Sequence, residues 1–306
     1  GWDRPPVNTG LSRLPETVRI SEDGDRIVQR RGDGAVEIIR TGGDYHHQTV
    51  EWPVADRAGW ERVKAEFLDP ADPARFPADW PAHVERYRNR TFPLQLSHGG
   101  VYGFARNLMG DERLCYAFYD DPALVHDIMD TYTETALAVW ERMTGDVSFD
   151  LVECWEDMAC RNGSIVSPAV FREFMTPNYR RIAAFARARG VEIVLVDSDG
   201  LVEGLVPLFE EAGVTALYPF EVQAGNDCAR VRAAHPRFGM IGGLDKNCMA
   251  RGKAAMDAEV EKARRLIRLG GFIPGPDHFV LSDVSFDAYR YFMERLREAV
   301  LSTPLG

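Results

Sequence analysis

The 306-residue chain lacks any apolar stretch approaching the roughly 20 residues that a bilayer-spanning helix needs. Its opening residues Gly1-Trp2-Asp3-Arg4-Pro5 show neither a basic nor an apolar leader region, so a secretory signal is not expected and the cytoplasm is the predicted location. Basic charge is also scarce. Lys and Arg number 36 against 47 Asp and Glu, for a net charge of −11. A duplex-binding surface shows a basic stripe, so nucleic acid is excluded as an expected partner and a small molecule or another protein is favoured. Five cysteines, Cys115, Cys154, Cys160, Cys228 and Cys248, form no CxxC pair and are odd in number. In a chain this long they read as reduced thiols, mostly buried. No GxGxxG follows an early strand, which argues against a dinucleotide-binding fold.

The hydrophobic residues, 45% of the chain, suffice for one large core. Residues 17–50 read as strands separated by Asp-Gly turns, at Asp23-Gly24 and Asp33-Gly34. A connection dense in Pro (Pro70, Pro73, Pro77, Pro81) follows and contains one predicted helix, Ala58 to Phe67. From Phe92 onward, short apolar runs alternate with amphipathic stretches. Strands are expected at Phe92–Leu96, Phe149–Glu153, Glu192–Val196, Ala216–Pro219, Gly239–Ile241 and Gly271–Pro274. Helices are expected at Ala123–Met143, Pro168–Arg189 and Met256–Leu269. Alternation of this kind builds parallel βαβ units. The expectation is an α/β fold: a (β/α)8 TIM-type barrel over residues 91–306, with a β-rich cap over residues 1–90, the two making effectively one structural domain.

Five predicted strands run into acids: Glu153-Cys154-Trp155-Glu156-Asp157, Asp197-Ser198-Asp199, Pro219-Phe220-Glu221, Leu244-Asp245 and Pro276-Asp277-His278. In an α/β barrel these strand ends converge on one mouth. A single Asp after a strand is commonly the N-cap of the next helix, and Asp199 before Gly200-Leu201 has that option open. Glu156 and Asp157 also have a bland reading, as solvated side chains. Capping does not account for five strands ending alike. Several carboxylates in one place require a metal, a cationic substrate or retained protons. His278 in this company is a candidate ligand or acid–base group. Glu153 and Cys154 alternate, so only one points toward the mouth, and Glu153 is the choice. His98 closes the first barrel strand and is a candidate for lining the mouth. His46-His47 belongs to the cap.

These strand-end motifs resemble the uroporphyrinogen decarboxylase-like superfamily. The resemblance rests on Ser167-Pro168 with Phe171-Arg172-Glu173-Phe174, Asp197-Ser198-Asp199-Gly200, Tyr218-Pro219-Phe220-Glu221, Gly242-Gly243-Leu244-Asp245-Lys246 and Gly270-Gly271-Phe272-Ile273-Pro274. His98-Gly99-Gly100 with Leu108-Met109-Gly110 adds a further stretch. It covers roughly residues 50–300 and implies a barrel with its pocket at the strand C-termini. The Arg-rich N-terminal signature of the true decarboxylase has no counterpart here, so the corrinoid-linked methyltransferase branch is the closer comparison. Zinc-using members of that branch carry His-x-Cys and a later Cys; here Asp197-Ser198-Asp199 and Asp277-His278 stand in those places, without a thiolate.

The resemblance therefore implies an oxygen-rich set, Glu153, Asp199, Glu221 and His278, for a divalent metal such as zinc. Asp197, Asp199, Glu221 and His278 are the expected catalytic residues, and His98, Tyr102, Tyr218 and Asp245 the expected substrate contacts. The expected reaction passes a methyl group from a small substrate to a corrinoid carried by a separate protein, and the superfamily makes a homodimer an option. The alternatives are a decarboxylase or lyase acting on a carboxylated substrate, and a non-catalytic corrinoid or tetrapyrrole binder.

Overall fold

The computed structural model describes residues 2–41 and 46–306; Gly1, residues 42–45 and the side chain of His46 lie outside that description. The chain opens with β1 (Val18–Asp23), β2 (Arg26–Arg30), β3 (Val36–Arg40) and β4 (His46–Glu51). These four form an antiparallel sheet in sequence order. Helices α1 (Arg57–Phe67) and α2 (Trp80–Arg88) follow, then β5 (Gln95–His98), α3 (Val101–Met109), α4 (Asp111–Asp120) and α5 (Pro122–Asp146). Next come β6 (Leu151–Trp155), the two-residue strands β7 (Ala159–Cys160) and β8 (Gly163–Ser164), α6 (Pro168–Val170) and α7 (Thr176–Ala188). The remainder alternates strictly: β9 (Ile193–Asp197), α8 (Val206–Ala212), β10 (Ala216–Tyr218), α9 (Cys228–Ala234), β11 (Gly239–Leu244), α10 (Lys253–Arg268), β12 (Phe272–Pro276) and α11 (Phe286–Ser302).

All six expected barrel strands are present, in a sheet ordered β12-β11-β10-β9-β6-β5. Several boundaries move toward the strand C-termini. The strand expected at Phe92–Leu96 is Gln95–His98, because Pro93 has no N–H to give to a ladder. The helix expected at Pro168–Arg189 is broken by a π-helical turn at Phe171–Met175. Pro177 provides a reason, since it cannot donate to the carbonyl four residues back.

Two compact units result. One comprises Gly1–Val152 with Glu173–Val191; the other comprises Glu153–Arg172 with Glu192–Gly306. The residue 90/91 boundary expected from the sequence falls inside the first unit. Within that first unit, α5 is capped by Asp121, whose side chain accepts the Leu124 N–H at 3.0 Å, and buries Val125, Met129, Tyr132 and Trp140. Asp127 on α5 gathers Lys64 Nζ, Arg57 Nη1 and Trp60 Nε1 at 2.8–2.9 Å.

The second unit carries the strand-end acids. In β9, Val194, Leu195 and Val196 are all buried, as expected of a parallel strand covered on both faces. The register pairs Leu195 with Ala216, Val196 with Leu217 and Asp197 with Tyr218. Between β11 and β12 it runs from Met240 opposite Phe272 to Leu244 opposite Pro276. Within each of these pairs the strands end level, with β11 and β12 running three residues past β9 and β10, and the loops leaving them start from the same end of the sheet. Among the described residues no helix is long and apolar enough to cross a membrane.

Candidate active site

Asp197 is the last residue of β9, and Tyr218 beside it is the last of β10. Asp199 lies two residues past β9, Glu221 three past β10, and His278 two past β12. Backbone conformation gives these loops their sharp turns. Gly200 has φ +82°, and a Cβ there would lie 2.8 Å from the backbone of Ala159 and Cys160, so only glycine fits. Gly242 has φ +93°, and its Cβ would meet the Pro219 carbonyl oxygen at 2.3 Å. Two non-glycine residues, Asp157 (φ +45°) and Phe220 (φ +56°), adopt the left-handed region beside the same strand ends. Such strain clusters where surrounding structure enforces it, commonly at functional sites.

Buried side chains tie the loops together. Asn226 donates through Nδ2 to the carbonyl oxygens of Gly200 and Glu221, both at 2.8 Å, and accepts the Val202 N–H at 3.0 Å. Asp277 accepts the Val222 N–H at 2.7 Å and the Lys246 N–H at 2.9 Å. Ser198 Oγ accepts the Met158 N–H at 3.1 Å. These contacts hold the loops after β6, β9, β10, β11 and β12 in one arrangement.

His278 Nε2 and Asp199 Oδ2 are 3.1 Å apart, and Glu221 Oε2 accepts the Gly200 N–H at 2.9 Å. Donor atoms of Asp199, Glu221 and His278 all lie within 4.8 Å of one another, and those of Asp157, Asp197 and Asp199 form a second such group. Tyr218 donates its hydroxyl to Glu153 Oε1 at 2.8 Å. A cavity of about 520 Å³ opens here, lined by Trp155, Asp157, Asp197, Asp199, Tyr218, Pro219, Pro276, His278 and Phe279. The size suits a small organic molecule.

Crowding of like charge shows in the protonation equilibria. Burial, reinforced by Glu153, Asp157 and Asp199, pushes Asp197 up to about 7, against the pull of Tyr218. Burial also raises Asp199; His278 pulls it down, while Asp157 and Glu221 push it further up. At neutral pH Asp197 is therefore a carboxyl that exchanges a proton readily, in an aromatic-walled cavity.

The sequence-predicted residues divide into four groups. Asp197, Asp199, Tyr218 and His278 line the cavity, and Glu221 joins Asp199 and His278. Glu153, expected as a fourth metal ligand, stands outside that triad, with its carboxylate on Tyr218. Asp245, expected to meet substrate, is buried in a structural role. It pairs with Arg251 at 2.6 Å, caps the Asn247 N–H at 3.0 Å and takes a bond from Gln223. An Asp one residue past a strand and before a helical turn does what N-caps do. His98 and Tyr102 belong to the first unit. Tyr102 donates to Asp111 at 2.8 Å. His98 packs against Tyr132 and Trp140, has neither ring nitrogen hydrogen-bonded among the described residues, and is held neutral by burial, with its pKa lowered to about 3. Cys154 is fully buried, which drives its thiol well above the usual range and away from thiolate chemistry.

Trp155, Phe279 and Asn226 escaped sequence reasoning. Strand alternation offered the first, since Trp155 shares a face with Glu153. Nothing local marks Asn226, whose three bonds reach 5 to 26 residues away.

No curated protein matched this sequence. Among solved structures, a methyltransferase from Methanosarcina mazei is similar in fold, at 15% identity over 85% of this chain and 74% of that one, with a TM-score of 0.57. A putative vitamin-B12 independent methionine synthase from Listeria monocytogenes aligns at 11% identity over 71% of this chain and 69% of that one, with a TM-score of 0.40. The family model described as uroporphyrinogen decarboxylase (URO-D) matches residues 50–299. The six-stranded α/β chain with its acid-lined cavity thus belongs to the uroporphyrinogen decarboxylase family.

Proposed function

We propose that the protein is a methyltransferase, passing a methyl group from a small methylated substrate to a corrinoid carried by a separate protein, and that its parallel sheet is part of a (β/α)8 barrel. The carrying observation is the convergence of Asp197, Asp199, Glu221 and His278 at the edge of an aromatic-walled cavity. Its acidity disfavours the decarboxylase alternative, because a substrate bearing carboxylates would meet Asp157, Asp197 and Asp199. Similarity in fold to a methyltransferase supports the same branch.

Methyl transfer needs the heteroatom to leave in a stable form, since an alkoxide or amide anion leaves poorly. Asp197 is placed to hold or move a proton at its carboxyl oxygen. Asp199 and His278, linked at 3.1 Å, can orient one another. Trp155, Tyr218, Pro219 and Phe279 give the methyl group an apolar surface to lie against. The set Asp199, Glu221 and His278 also fits a divalent ion, with two carboxylates and an imidazole within 4.8 Å. Bound there, such an ion would supply Lewis acidity to the leaving heteroatom. Lacking thiolate, the set suits a harder centre than the sulfur-rich zinc sites of the branch.

The test combines elemental analysis with a methyl-transfer assay. Purified wild type and His278→Ala are measured for metal and then incubated with Co(I) cobalamin and methylated amines, ethers or thioethers. Formation of methylcobalamin by wild type, reduced at least about a hundred-fold in Asp199→Ala, is the expected result. Release of CO2 from a carboxylated substrate, with no methyl transfer from any donor class, would overturn the proposal.

A further inference from the structure

The cavity walls combine two features that rarely serve a neutral ligand. Three carboxylates, Asp157, Asp197 and Asp199, present oxygens within 4.8 Å of one another. Around them stand the rings of Trp155, Tyr218 and Phe279, and none of the described lining residues is lysine or arginine. Trp155 is 38% and Phe279 81% exposed, so both rings are open to a ligand. His278 meets Phe279 edge-to-face, with centroids 4.8 Å apart. Aromatic faces attract cations through the ring quadrupole, and acids attract them through charge.

We propose that the methyl donor is an onium ion, a small methylated ammonium or sulfonium whose positive charge seats among Asp157, Asp197 and Asp199 and against the rings of Trp155, Tyr218 and Phe279. The inference rests on the methyl-transfer reading for what happens to the bound cation, but not for the binding itself. In the step, the C–N or C–S bond breaks heterolytically and its electron pair stays on the heteroatom. That atom leaves as a neutral amine or thioether. The methyl carbon forms its new bond to the Co(I) of the partner's corrinoid, which supplies the electron pair and becomes Co(III). A neutral leaving group requires no proton and no Lewis acid. An onium therefore answers both the charge demand of the cavity and the leaving-group problem. Because Asp199 belongs to both acidic groups, a divalent ion and an onium draw on the same carboxylate.

The experiment compares choline with its neutral isostere 3,3-dimethylbutan-1-ol by isothermal titration calorimetry, on the whole chain after chelator treatment and at mildly alkaline pH. Choline is expected to bind at least about ten-fold more tightly than the isostere. Asp197→Asn and Phe279→Ala should each weaken choline about ten-fold while changing the isostere less than about two-fold. Circular dichroism and thermal melts establish that the variants fold. Equal affinity for the two probes, no binding of either, or choline binding unaffected by both substitutions would overturn the onium site. Selective choline binding without methyl transfer from any onium would instead refute the methyl-transfer reading and leave the site standing. Methyl transfer from neutral ethers without choline selectivity would remove the onium site alone.

Discussion

Replacing Asn226 by alanine tests whether the loop architecture of the second unit works as described. Asn226 is 6% exposed and makes three hydrogen bonds, two from its amide nitrogen and one to its amide oxygen. Truncation leaves the Gly200 and Glu221 carbonyls and the Val202 N–H without this partner. A buried group left unsatisfied costs about 1–3 kcal/mol, and carbonyls near the rim recover part of that from water. The expected loss is about 3 kcal/mol, a shift in melting temperature of roughly 6 °C for a chain this long. The same change frees the loop that carries Asp199 from the residue that starts the Glu221 turn. Urea unfolding monitored by tryptophan fluorescence gives the stability, and calorimetric titration of choline gives the site. Binding should weaken about ten-fold or more, as a pre-organised pocket becomes one that must be ordered. An Asn226→Ala protein within about 0.5 kcal/mol of wild type, binding choline normally, would refute the argument that this side chain sets the loop geometry.

Other perturbations follow from the same structure. Gly200→Ala should destabilise by about 2–4 kcal/mol, since it combines φ +82° with a Cβ lying 2.8 Å from the Ala159 and Cys160 backbone; a melt indistinguishable from wild type would contradict it. Asp277→Ala should cost about 3 kcal/mol and lower any His278-dependent activity, because it orphans the Val222 and Lys246 N–H groups; Asp277→Asn should recover part of the stability. Asp127 gives a pH dependence. Burial would raise its pKa, but Lys64, Trp60 and Thr131 outweigh that and hold it below the ordinary value of 3.8. A depressed folded pKa contributes stability that is present above the unfolded pKa and lost as pH falls through the folded one. Asp127→Asn should therefore destabilise at neutral pH, and the difference from wild type should shrink below about pH 4; denaturant melts across that range would reveal a constant gap if the reasoning fails.

The strands were legible because their signal is local. Val194-Leu195-Val196 is a short, β-branched-rich buried run of the kind a doubly covered strand uses, and Asp197 bounds it. The two Asp-Gly turns likewise announced the first three strands of the antiparallel sheet. What could not be read was the direction of each acid. Asp199 and Asp245 occupy similar places after their strands, yet one faces His278 and the other caps a turn and pairs with Arg251. Asp277 had seemed a companion to His278 in chemistry, but its carboxylate is spent on two backbone N–H groups. Asp199 and Asp277 find their partners 31 to 79 positions away, which no local pattern encodes, whereas Asp245 takes its cap and its ion pair from within 6 positions.

A physical criterion separates the two kinds of strand-end acid, and it can be tested. Burial acts on both. At Asp245 it is outweighed by Arg251, the Asn247 N–H and Gln223, so the carboxyl lies below the usual range. At Asp197 it is reinforced by Glu153, Asp157 and Asp199, so the carboxyl rises to about 7. Linkage then gives opposite signs. Charged Asp245 contributes stability above the unfolded carboxylate range, whereas charged Asp197 subtracts from it. For Asp197 the folded state holds its proton more tightly than the unfolded chain, so stability falls as pH rises from about 4 to about 7 and then levels off. In chelator-treated protein, Asp245→Asn should therefore lower the melting temperature at neutral pH. Asp197→Asn should raise it, through a stabilisation on the order of 1–2 kcal/mol that disappears below about pH 4. A stabilised Asp197→Asn that no longer binds choline would mark an acid kept for its chemistry against the interest of the fold. If both variants lose stability alike, structural and functional acids do not differ in this way, and Asp197 belongs with Asp245 among the residues that hold the loops.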